Sequence, residues 1–128
     1  MRCKPGPRHM DHHNEEFLRK AAAAKARVVQ VEPAEVDRLI ASGVTVIDVR
    51  EPTEREKGTL PGSNCIAIGS LARTIGTVTP DKSAPIVCFC NGGNRGSMAA
   101  AELLDLGYTN VKSIAGGLRA YVSHKEDE

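Results

Sequence analysis

The chain predicts an α/β fold, a small parallel sheet flanked by helices on both faces. Two observations carry this: short apolar runs alternate with stretches of helical period, and the core must be built from aliphatic side chains. Hydrophobic residues make up 41% of the 128 residues, aromatics only 3%, and there is no tryptophan. Such a length suffices for one domain with its own core and is too short for two ordinary ones.

Residues 1–14 mix Cys3, two prolines, basic residues and His9, His12 and His13 without helical or strand period, and are expected to form a disordered tail. Cys3 and the three histidines are metal-ligand types, but their spacing matches no tetrahedral site, so no metal is expected. Residues 15–27 predict an N-terminal helical extension, with Glu15 and Glu16 at its start, Lys20, Lys25 and Arg27 toward its end, and alanines between. The core domain is expected over 28–124, followed by a charged end at 125–128.

Within the core, 28–31 reads as a first strand, and Pro33 opens a helix carrying Val36, Leu39 and Ile40 at helical spacing until Gly43. A buried strand is expected at 44–49, an exposed and solvated charged run at 51–57, and another strand at 65–68. A short helical turn over 71–75 and a loop at 80–83 lead into a buried strand at 84–89. The stretch 96–104 reads as an amphipathic helix stopped by Gly107, and 111–114 and 117–123 as the last strand and helix. In such sheets ligands bind beyond the carboxyl ends of the strands, where Asp48, Arg50 and Cys90 fall.

The net charge of +1, from 17 basic and 16 acidic residues, gives no pull toward nucleic acid or membrane. No apolar run approaches a secretory core or a membrane span, so a cytoplasmic location is expected. Four unevenly scattered cysteines, Cys3, Cys65, Cys88 and Cys90, look unlike a secreted disulfide framework, and reduced thiols are expected.

The most informative segment is Cys90-Asn91-Gly92-Gly93-Asn94-Arg95, which puts a thiol where a strand hands over to a helix. The free N–H groups and positive dipole end of a helix start favour an anion in front of them, and a thiolate is such an anion. Gly92 and Gly93 let successive N–H groups converge into a nest, and Arg95 adds a fixed charge. Cys90 is therefore the candidate nucleophile, against the plainer reading of an inert buried thiol.

This loop resembles that of the rhodanese family of sulfurtransferases, a cysteine followed by four residues and often an arginine. Val46-Ile47-Asp48-Val49-Arg50-Glu51 is similar to the family's Asp-Val-Arg strand end, and Gly58-Thr59-Leu60-Pro61-Gly62-Ser63 to its Gly-His-Ile-Pro-Gly-Ala turn. Gly107-Tyr108-Thr109-Asn110-Val111 and Ala115-Gly116-Gly117-Leu118-Arg119-Ala120-Tyr121 resemble the closing strand and last helix. The chain departs from the family at Thr59, where histidine is usual, at Gly96, where serine is commoner, and at Tyr121, where tryptophan is usual.

The resemblance implies that Cys90 takes a sulfur from thiosulfate or a similar donor as a persulfide and passes it to cyanide or a thiol, small or on a protein, without a cofactor. It implies substrate-binding roles for Asn91, Gly92, Gly93, Asn94, Arg95 and Gly96, with Arg95 holding the anionic donor and Arg50 assisting. Asp48 is expected to support the loop or Arg50, although Asp48 and Arg50 also read as a purely structural ion pair. A monomer or homodimer fits equally. Cys88 could pair with Cys90 in redox chemistry if both lean the same way, but like Cys65 it reads first as a small apolar side chain within a strand. The alternatives are a sulfur-carrier or partner-binding module of the same family, and a cysteine-arginine phosphatase or arsenate reductase, whose loop carries five residues between cysteine and arginine.

Overall fold

A computed structural model describes residues 14–127. The expected tail therefore lies outside the described residues except for Asn14, whose side chain accepts the Phe17 N–H at 2.7 Å and caps the first helix. In chain order the elements are α1 (Glu15–Arg27), β1 (Val29–Val31), α2 (Pro33–Ala41), β2 (Thr45–Asp48), α3 (Pro52–Arg55), β3 (Asn64–Cys65), α4 (Leu71–Val78), β4 (Ile86–Phe89), α5 (Asn94–Asp105), β5 (Val111–Ile114) and α6 (Gly117–Glu126). A 3₁₀ turn over Ile68–Ser70 leads into α4.

The five strands form one sheet in the order β1-β5-β4-β2-β3, every neighbour parallel. Its two faces are covered because side chains alternate along each strand. Ile86 and Cys88 of β4 face α1, α4 and α5, packing with Ala24, Leu71, Ile75, Ala99, Ala100 and Leu103. Val87 and Phe89 face the other way, against Val36, Leu39 and Ile40 of α2 and Leu118 and Tyr121 of α6. Fully burying an aliphatic side chain of this size contributes about 1.5–3 kcal/mol.

Four expectations need correction. The charged run at 51–57 is not wholly solvated, because Pro52–Arg55 makes a helical turn and Glu54 turns inward, half-buried. The strand expected at 65–68 reduces to Asn64–Cys65, since the chain bends into the 3₁₀ turn at once. Cys65, on that edge strand, is exposed. The last helix continues to Glu126, where Lys125 and Tyr121 both bond Asp37 of α2, at 2.7 and 2.6 Å, instead of ending in a free charged tail.

Register places the site. Asp48 stands level with Phe89 across β2 and β4, and the Val49 N–H donates to the Phe89 carbonyl at 3.0 Å, so the chain leaves both strands side by side at their carboxyl ends. No helix among the described residues is long and apolar enough to cross a membrane.

Candidate active site

Cys90 follows β4 directly and is 1% exposed. Its Sγ accepts hydrogen bonds from the backbone N–H groups of Gly93 at 3.1 Å and Gly96 at 3.2 Å. Of the loop amides expected to converge on the sulfur, these two reach it. Each depends on a missing side chain. Gly93 caps α5 at φ 105°, in the left-handed region that turns the chain sharply from strand to helix. A Cβ on Gly96 would lie 3.0 Å from the Phe89 Cα and 3.2 Å from the Cys90 nitrogen, so a larger residue would lift the helix start away from the strand end.

The other face of the loop is held by α6. The N–H groups of Leu118 and Arg119 donate to the carbonyls of Cys90 at 2.8 Å and Asn91 at 3.0 Å. These orphan donors of a helix start draw the loop carbonyls outward, while the loop amides of Gly93 and Gly96 point to the sulfur. The approach needs Gly117, at φ 69°, whose Cβ would fall 2.5 Å from the Asn91 oxygen.

Beneath the loop runs a chain of charged groups. Arg50 is 3% exposed and all five of its N–H donors are occupied. Nε and Nη2 bond the two oxygens of Asp48 at 2.9 and 2.8 Å; Nη2 also bonds the Gly58 carbonyl at 2.8 Å, and Nη1 bonds the Glu54 carbonyl at 3.1 Å and Asn91 Oδ1 at 3.0 Å. Arg50 thus differs from the expectation of a substrate contact: it ties β2 to the loop and has no donor left. Burial pushes the Asp48 carboxyl up, but hydrogen bonds from Arg50 and from the Thr59 hydroxyl, at 2.6 Å, outweigh it and hold Asp48 below the usual carboxylate range. Thr59 serves Asp48 where the family's histidine would stand.

Arg95 lines the cleft and is paired inside the fold. Its Nη1 and Nη2 grip the two oxygens of Glu54 at 2.7 and 2.8 Å, a bidentate pair with side chains only 14% and 28% exposed. The same carboxylate accepts the Glu51 N–H at 2.8 Å and Asn91 Nδ2 at 3.1 Å. Burial alone would raise Glu54, yet Arg95 holds it below its ordinary value. Burial draws Arg95 down, but Glu54 together with the neighbouring Cys90 and Glu51 holds it above its ordinary value.

Sequence reasoning missed Glu54 as a member of the site. The available signal was Glu51-Pro52-Thr53-Glu54, a proline at the first helical position with a glutamate placed to bond back to the helix start. Arg119, in the first turn of the last helix, carries no comparable sequence signal.

Cys90 lies at the base of a cleft of about 330 Å³, walled by Glu54, Asn91, Gly92, Asn94, Arg95, Arg119 and Phe17 from α1. The N-terminal helix therefore contributes to the cleft wall. Cys88 shares the Cys90 face, but burial, then the neighbouring Cys90, pushes its thiol up to about 12, leaving a protonated apolar group. Among the described residues no cluster of three His, Cys, Asp or Glu could hold a metal ion; Cys3, His9, His12 and His13 lie outside them.

Residues 32–124 match the model of the rhodanese-like domain. The thiosulfate sulfurtransferase GlpE of Pseudomonas aeruginosa is 33% identical over 94 residues, 73% of this chain and 84% of the relative. The human single-domain sulfurtransferase TSTD1 is 29% identical, with a TM-score of 0.66, covering 73% of this chain and 95% of that one. A Rhodopseudomonas palustris protein of unknown function, described as a possible tyrosine phosphatase, superposes with a TM-score of 0.78 over 98% of this chain and 96% of its own. At 24% identity it shows the fold alone, including the N-terminal extension. With the match spanning most of its length, the chain belongs to the rhodanese-like family and is an enzyme of the sulfurtransferase type.

Proposed function

We propose that Cys90 carries sulfur as a persulfide between thiosulfate, or a similar anionic donor, and a thiophilic acceptor, either cyanide or a thiol. The observation that carries this reading is a sulfur atom bonded by two backbone N–H groups at the base of an open cleft. In the first step the Cys90 thiolate attacks the outer sulfur of thiosulfate, the donor's S–S bond breaks, and sulfite leaves with the electron pair. The new outer sulfur stands about 2.05 Å beyond Sγ. In the second step cyanide attacks that sulfur, the bond to Cys90 breaks, the thiolate returns and thiocyanate leaves; a thiolate acceptor would leave as its own persulfide.

The N–H groups of Gly93 and Gly96 are fixed by the fold before reaction, so they stabilise negative charge on sulfur without reorganising. No cofactor is needed, because sulfur atoms carry the electron pairs throughout. A reducing, cytoplasmic setting belongs to the same reading, since Cys90 must stay unpaired. A phosphatase reading is less favoured. The loop has four residues between cysteine and arginine, and Arg95, the group that would grip a phosphate, is already clasped by Glu54.

Incubation with thiosulfate followed by mass spectrometry should add one sulfur atom, and Cys90→Ser should abolish the adduct. No adduct on the unaltered protein defeats the proposal, and Cys90-dependent hydrolysis of an aryl phosphate would favour the phosphatase. A persulfide discharged well by a protein thiol and poorly by cyanide would make the protein a sulfur carrier.

A further inference from the structure

Resting on that reading, we infer that Arg119, and not the loop arginine, binds the anionic end of the sulfur donor and sets the enzyme's preference for anionic donors. Three arginines stand near Cys90. Arg50 has all five donors occupied inside the fold, and Arg95 is held by both oxygens of Glu54. Arg119 faces the cleft with no side-chain hydrogen bond or ion pair among the described residues. Of the three it has the most donors open to the cleft, since Arg95 spends one N–H of each terminal nitrogen on Glu54.

Its position is fixed from two sides. The Arg119 N–H bonds the Asn91 carbonyl at 3.0 Å, which locks the first turn of α6 to the loop. Nη1 passes over Gly92, 3.3 Å from where a Cβ would be, so the absence of a side chain there lets the guanidinium reach across the loop. An anion entering the cleft therefore meets a fork of donors matched to sulfonate or carboxylate oxygens. With Arg95 and Glu54 cancelling, Arg119 supplies the uncompensated charge of the cleft wall.

The test uses the full chain and separates this inference from the sulfurtransferase reading. Cys90 is alkylated with iodoacetate, which is anionic, and with iodoacetamide, which is neutral and of similar size, in the unaltered protein, Arg119→Gln and Arg119→Lys. Arg119→Gln should lower the ratio of iodoacetate to iodoacetamide rates about tenfold, with the iodoacetamide rate nearly constant, and the lysine variant should fall between. In steady-state assays the same change should raise the thiosulfate concentration for half-maximal rate about tenfold and leave the dependence on acceptor unmoved. An unchanged alkylation ratio overturns the role of Arg119 whether or not a persulfide forms. A persulfide that fails to form, with the ratio still falling, would leave Arg119 as an anion site and remove the sulfur chemistry instead.

Discussion

The carboxylate of Glu54 accepts four hydrogen bonds, two of them from Arg95, and so governs what that arginine can do. Replacing it with glutamine keeps the size and removes the charge. Glu54→Gln is expected to cost about 1–3 kcal/mol of stability, read from the midpoint of urea unfolding, because a half-buried guanidinium loses its charged partner. The same variant should reach half-maximal rate at lower thiosulfate concentration, since the cleft gains a net positive charge. A rise in that concentration would mean that Arg95 in its paired state already serves the donor.

At the scale of elements, the loop depends on a helix that begins more than twenty residues after it in the sequence. Gly117→Ala combines a left-handed φ of 69° with a Cβ 2.5 Å from the Asn91 oxygen. Loss of about 1–3 kcal/mol is expected in thermal or denaturant unfolding, together with slower persulfide formation as the loop carbonyls are pushed back. Activity equal to that of the unaltered protein would show that α6 does not hold the loop. The apolar runs around β2 and β4 were legible because strands buried on both faces read as near-continuous hydrophobic stretches, and Cys90 was legible because glycines and an arginine surround it. Glu54 was not, since a glutamate in a charged run declares nothing about which way a one-turn helix will face. Arg95 and Arg50 were legible as arginines near the sulfur, but which donors remain free depends on partners brought in from 41 residues away, or across a turn. The shortening of β3 to two residues escaped notice because Cys65-Ile66-Ala67-Ile68 has strand composition throughout while only its first residue pairs with β2.

For the whole molecule, the charged chain from Asp48 to Arg95 links folding to acidity. Asp48 and Glu54 both have carboxyls held below their ordinary values near 4. Groups depressed by folding contribute stability that is fully present above the unfolded pKa and is lost as pH falls through the folded one. Urea midpoints should therefore be level from about pH 7 to 5 and drop steeply below about pH 4. A midpoint that rises on acidification would contradict the network. Thr59 completes this frame with an uncharged hydroxyl donating to Asp48 at 2.6 Å. A histidine in that place would gain or lose a proton close to neutrality; threonine does not. The scaffold under the sulfur thus keeps its charges unchanged across the range in which cells live, so its grip on the loop does not loosen there.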